Sequence, residues 1–203
     1  MTLLSLRHQR MFLHISQVSG LLLPIIIFTG IGLAIAVSPW FSWEKNALSD
    51  LGIAPNSAIL FNGSMILGGV CMFVFSLGLL RETSQKLGIY LLSMSSLTLI
   101  GIGLFPETMI LQHFLSSAAF FILIVVSMLV IGLTFRNQNR GSLVADAALL
   151  FSIIALFSTI FLLLLPGIAI TEALVCFPAF VWCFITSITI SPGEQKHLVF
   201  AAS

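Results

Sequence analysis

Seven polar side chains stand out against an apolar background: Asn46, Ser49, Asp50, Asn62, Glu107, His113 and Glu172. Carboxylate oxygens with an imidazole nitrogen can hold a divalent cation, and Asp50, Glu107 and His113 are the metal-ligand candidates. The same pairing of histidine with acids can pass a proton. With Ser49 close by, metal-assisted hydrolysis of a lipid is a further chemistry open to the set. None of these is announced by a motif, because the chain has no HExxH, GxSxG or CxxC spacing and no phosphate-binding glycine loop.

Each candidate also has a plain structural reading. Asn46, Ser49 and Asp50 suit local capping of backbone N–H groups in a turn. Glu107 follows Pro106 and reads as the opening of a helix, whose positive end favours a carboxylate by about 0.3 to 1 kcal/mol. A carboxylate in the same position opens the last apolar run, as Glu172. His113, about one turn into its helix, is an ionisable group inside an apolar run and is expected to face a bundle interior or an aqueous cavity. Asn62, about 7 to 8 Å along its helix, is expected to bond a neighbouring helix.

The elements that position these residues follow from composition. The chain has 203 residues, 59% hydrophobic and only 7% charged, where soluble domains carry about 25% charge. Such a chain cannot dress a core with a watery surface, so lipid is its expected solvent. A bilayer core about 30 Å thick needs roughly 20 apolar residues in a helix. Runs of that kind occupy residues 18–37, 57–80, 87–104, 109–135, 147–165 and 173–190. They are apolar on every face, unlike the alternating strands of a membrane barrel, and backbone groups in lipid must be satisfied within the segment. The expected fold is therefore an all-α integral membrane protein, a single bundle of six transmembrane helices over residues 1–203, with no room for a separate catalytic domain.

Orientation comes from the loops. Arg7, Arg10, Arg81, Lys86, Arg136, Arg140 and Lys196 fall on one side of a six-helix threading and only Lys45 on the other. The positive-inside rule then predicts that both termini are cytoplasmic in a multi-pass cell-membrane protein. Glu44, Asp50, Glu107 and Glu172 face outward, Glu82, Asp146 and Glu194 inward. Trp40 and Trp43 in the longest outward connection suit the membrane interface, and His8, His14 and His197 suit the cytoplasmic one. The first run, which ends in Ala34-Ile35-Ala36, resembles a cleavable signal peptide but exceeds the usual core of about 7 to 15 residues, and is expected to be retained.

Three pairs of small residues with four-residue spacing, Gly30 and Ala34, Gly32 and Ala36, and Ser64 and Gly68, are expected to let helices approach, with a homo-oligomer contact as the alternative. Gly30-Ile31-Gly32-Leu33 and Gly101-Ile102-Gly103-Leu104 hint at a repeated hairpin. The three cysteines, Cys71, Cys176 and Cys183, sit inside apolar runs and read as small packers. Trp182 and Tyr90 are each expected to pack while finding a partner for their polar atom. A net charge of +1 with scattered basic residues excludes a nucleic-acid partner.

The phrases Asn46-Ala47-Leu48-Ser49-Asp50-Leu51-Gly52, Phe61-Asn62-Gly63 and Gly103-Leu104-Phe105-Pro106-Glu107, with His113, resemble a six-helix membrane family catalogued as a domain of unknown function, number nine-nine-eight. More distantly the chain is similar to the damage-regulated autophagy modulator group. The resemblance implies a six-helix bundle marked by Asn46, Ser49, Asp50, Asn62, Glu107 and His113, and it supplies no reaction. The first function expected is binding or transport of a cation, proton or lipid headgroup in an outward-facing polar pocket, with a divalent cation as the one cofactor suggested. The alternatives are a structural or regulatory subunit of a membrane-protein complex and an intramembrane metal-assisted lipid hydrolase.

Overall fold

The computed structural model describes residues 3–83, 86–138 and 142–189, so Arg140, Glu194, Lys196 and His197 lie outside the described residues. All regular structure among those residues is helical: α1 (Leu3–Ala36), α2 (Ala58–Glu82), α3 (Leu87–Leu104), α4 (Ile110–Asn137), α5 (Ser142–Ser158), the single turn α6 (Phe161–Leu164) and α7 (Ala169–Thr189). A 3-10 turn, Ser49–Gly52, lies in the connection between α1 and α2.

Six segments are long and apolar enough to cross a membrane: Arg7–Ala36, Ala58–Glu82, Leu87–Leu104, Ile110–Asn137, Leu143–Leu164 and Ala169–Thr189. The chain is a multi-pass membrane helical bundle. Its outward faces carry large side chains that water would solvate badly and lipid tails solvate well, among them Leu163 at 86% exposure, Ile59 at 81% and Ile110 at 79%.

Helices α1 to α5 each pack beside the next in sequence, α5 packs beside α7, and α7 returns to α1, which closes a ring of six spans. Small residues set the α1–α2 contact. A side chain on Gly30 would overlap Ser64, and one on Gly68 would overlap Ile27. Two of the small-residue pairs are thus spent on packing inside the bundle, whereas Gly32 and Ala36 lie on the exposed face of α1. Between helices, Ser16 Oγ donates to the Phe75 carbonyl at 3.0 Å, Ser127 Oγ to the Gly88 carbonyl at 2.9 Å, and the Ser76 and Ser93 hydroxyls share a bond of 2.8 Å. Trp182 is fully buried and its Nε1 donates to the Val144 carbonyl at 2.8 Å. Tyr90, by contrast, is 53% exposed on the outside of α3.

Several helix boundaries differ from the apolar runs, for identifiable reasons. α1 starts at Leu3 because the helix continues through polar turns that a hydropathy window does not register. The fifth span is interrupted after Ser158, where the Ser158 and Thr159 hydroxyls bond back to the Ala155 and Leu156 carbonyls. The Thr171 hydroxyl donates to the Ser158 carbonyl across the break. α7 begins at Ala169, four residues ahead of the apolar run, so Glu172 lies in its first turn. α4 begins only at Ile110, which leaves Glu107 in the turn ahead of the helix.

Antiparallel succession sorts the charges. Arg7, Arg10, Arg81, Lys86, Arg136 and Asp146 share one end of the ring, with Arg136 and Asp146 paired at 3.6 Å in full exposure. Glu44, Lys45, Asp50, Glu107 and Glu172 share the other. The candidate side chains all belong to this second end.

Candidate functional site

The connection between α1 and α2 folds down onto the mouth of the ring. Leu48 and Leu51 drive it, being 4% and 0% exposed, and they carry the 3-10 turn into the core between them. Burying this stretch of backbone demands partners for its N–H and C=O groups, and the candidate polar residues are among the partners supplied. Glu172 accepts the Leu48 N–H at 2.5 Å. Glu107 accepts the Ser49 hydroxyl at 2.5 Å. Asn62 Nδ2 donates to the Gly52 carbonyl at 2.8 Å, and Ser57 Oγ donates to the Leu51 carbonyl at 2.8 Å.

Asn46 and Asp50 serve the connection itself. Asn46 Oδ1 accepts the Ser42 N–H at 3.0 Å, while its Nδ2 donates to Asp50 Oδ2 at 2.8 Å, and the same oxygen accepts the Ala47 N–H at 3.1 Å. From the other side the α6–α7 link lies along this segment. Gly167 N–H donates to the Glu44 carbonyl at 2.9 Å, and the Ile168 and Ala169 N–H groups both donate to the Asn46 carbonyl, at 3.1 and 2.9 Å. Trp40, Phe41 and Trp43 form an edge-to-face row at the rim, with Phe41 5.5 Å from Trp43 and 6.2 Å from Trp40.

His113 belongs to α4, 12% exposed, and both ring nitrogens are engaged. Nδ1 lies 2.7 Å from the Phe105 carbonyl, which can only accept, so Nδ1 carries the proton. Nε2 is then the acceptor, receives the Ser117 hydroxyl at 3.3 Å, and stands 3.9 Å from Glu107 Oε1. That oxygen is the one bonded to Ser49. A second proton on the ring would therefore point toward a carboxylate that already holds the connection.

Beneath the 3-10 turn lies a cavity of about 30 Å³, apolar on most of its wall, where Leu48, Ser49, Ser117, Glu172 and Cys176 meet Phe61, Phe120 and Phe180. One water needs about 10 to 15 Å³ by this measure, so the space suits about two. Glu172 is 9% exposed and forms part of its wall.

A family model described as Protein of unknown function (DUF998) matches residues 21–189, more than four fifths of the chain and every candidate residue. The chain belongs to this family. No curated protein and no solved structure matches it, and the more distant likeness to the autophagy modulator group finds no support in these matches.

In this DUF998 protein the structure separates the candidates into two groups. Glu107, His113, Ser49 and Glu172 converge at the mouth of the ring from the first connection, the turn before α4, α4 itself and α7. Asp50 and Asn46 bond within the connection, and Asn62 bonds the connection rather than another helix. Glu107 does not cap α4: Met109 is the capping residue, without a side-chain bond, and the carboxylate is turned to Ser49. Among the described residues no group of three or more His, Cys, Asp or Glu side chains, the set Asp50, Glu107 and His113 included, is placed to hold one ion. Sequence reasoning missed Ser117, whose signal was its position one turn after His113, and Ser57 and Gly167, which carry no signal until the loop is folded.

Proposed function

We propose that this membrane protein binds and releases a proton in a lidded acidic chamber at the loop end of the bundle, in the manner of a transport protein. The observation that carries the reading is the convergence of Glu172 and Glu107 on two consecutive residues of one buried turn, Leu48 and Ser49, with His113 3.9 Å from Glu107, above a cavity walled by Glu172. Ionisable groups are rare in spans and mark ion or proton paths when they occur. Space for about two waters supports a proton over a lipid headgroup, and the lack of a three-ligand cluster among the described residues supports it over a divalent cation. Two hydrogen-bonded carboxylates latch the turn, so a change of charge on either bears directly on whether the lid is held. The basic residues gathered at the opposite end support an orientation with that end cytoplasmic and the chamber outside.

The test is thermal stability of the detergent-purified protein between about pH 5 and pH 8, alongside sodium, potassium, magnesium, calcium and zinc. A ligand that binds only the folded state stabilises by mass action, about 2.7 kcal/mol at a hundredfold excess over its dissociation constant. Wild type is expected to change stability with pH more than Glu172→Gln and Glu107→Gln do, with no cation adding to it. A gain specific to one cation and lost in those variants replaces the proton by that ion. A flat response of wild type to pH and to every cation overturns the chamber and leaves a structural subunit, whose lid merely closes the ring.

A further inference from the structure

The opposite end of the molecule presents a face that the chamber does not use. On α1, Arg7, Arg10 and His14 recur at three- and four-residue spacing, and Met11, Ile15 and Val18 run alongside them on the same side. All six are exposed, and they form one open side of the helix. The helix packs through its other side, where Leu13, Ser16 and Gly20 are buried.

The depth of this face in a bilayer follows from helix geometry. Along α1, at 1.5 Å per residue, His14 stands about 33 Å and Arg7 about 44 Å from Ala36. A hydrocarbon core is about 30 Å thick, and about 40 to 45 Å with both headgroup layers. If Ala36 marks one edge of the core, next to the interfacial Trp40, then Val18 and Ile15 lie at the inner edge of the hydrocarbon on the far side, His14 lies inside the headgroup layer, and the backbone of Arg10 and Arg7 stands about 9 and 14 Å past that edge, from where only their long side chains reach back to the phosphates. Arg81 supplies a second marker of that level, stacked 3.9 Å over the Phe12 ring on the flank of the same helix.

We infer that this face of α1 is a binding site for one anionic phospholipid, with the phosphate held by Arg7 and Arg10 and an acyl chain laid along Met11, Ile15 and Val18. The guanidinium fork matches phosphate oxygens in bidentate geometry, and neither arginine has a carboxylate partner among the described residues. His14 stands one turn below Arg10, where it can donate to the glycerol or ester oxygens of the same lipid. A zwitterionic lipid places a cationic amine beside the arginines and gains less.

The experiment is fluorescent phosphatidylglycerol binding to the full-length protein in a neutral detergent at low salt, with phosphatidylcholine and soluble glycerol phosphate as competitors. Each arginine bonded directly to the phosphate contributes about fivefold, beyond the diffuse attraction that every basic residue at this end shares. The pair R7Q/R10Q is expected to bind phosphatidylglycerol about 25-fold more weakly, at an unchanged melting temperature because both side chains are exposed. Met11→Ser is expected to weaken lipid binding with no charge removed. The pair K86Q/R136Q, which removes the same charge from the same end, is expected to leave binding within about twofold. Equal loss in the two charge pairs means diffuse attraction and overturns the site, as does equal affinity for phosphatidylcholine. Full competition by glycerol phosphate reassigns it to a soluble phosphate ester.

Discussion

Replacing Glu172 by alanine removes the acceptor of the Leu48 N–H. Leu48 is 4% exposed and the bond is 2.5 Å long. Leaving a buried N–H without its partner costs about 1 to 3 kcal/mol, and losing that much shifts the local opening equilibrium of the turn by a factor of about 5 to 150. Glutamine keeps an acceptor oxygen in place, and Glu172→Gln is expected to lose a factor of at most about 5. Hydrogen–deuterium exchange of peptides covering 46–52 reads this directly, since such amides exchange through local opening. Peptides covering 89–99, deep in α3 with Leu92 and Leu99 at 0% and 1% exposure, serve as the control and are expected to change little. Exchange in 46–52 that is the same in wild type and Glu172→Ala, or that rises equally in α3, refutes the argument that this carboxylate latches the turn.

Gly167→Ala places a methyl group against the backbone of Lys45 and Asn46, including the Asn46 carbonyl at 2.6 Å. Backbone cannot step aside as a flexible side chain can, so about 1 to 3 kcal/mol of destabilisation is expected, with faster exchange in 44–50, and an unchanged melting temperature would count against that packing. Trp182→Phe leaves the Val144 carbonyl without its 2.8 Å donor at a fully buried position. A loss of about 1 to 3 kcal/mol is expected from thermal melts in detergent, and a neutral result would show that another group reaches Val144.

By itself the sequence determined the solvent, the number of spans and the end of the molecule at which chemistry could sit. Hydrophobicity on all faces over lengths that match a bilayer leaves helices as the only way to satisfy the backbone, and alternation of spans sorts Arg10, Arg81 and Arg136 from Asp50, Glu107 and Glu172 without any knowledge of packing. Helix ends were less legible. α1 runs back through Arg10 and Arg7 because backbone hydrogen bonding continues in polar turns, and Glu107 precedes α4 because its carboxylate is drawn to Ser49 rather than to the helix N-terminus.

Only the tertiary structure decided which polar groups meet. Leu48 and Leu51 look like any other apolar residues in a loop, yet their burial pulls the turn into the mouth of the ring, and the Leu48 N–H and the Leu51 and Gly52 carbonyls on it then recruit polar side chains. Glu172 and Leu48 are 124 residues apart in sequence, and nothing local in either segment encodes their bond. Asp50 was separated from the set for the same reason: Asn46 and Ala47, four and three residues away, satisfy its carboxylate before α4 or α7 can reach it. Local bonds are closed by spacing, which sequence states, whereas the chamber is closed by where the helices stand around it.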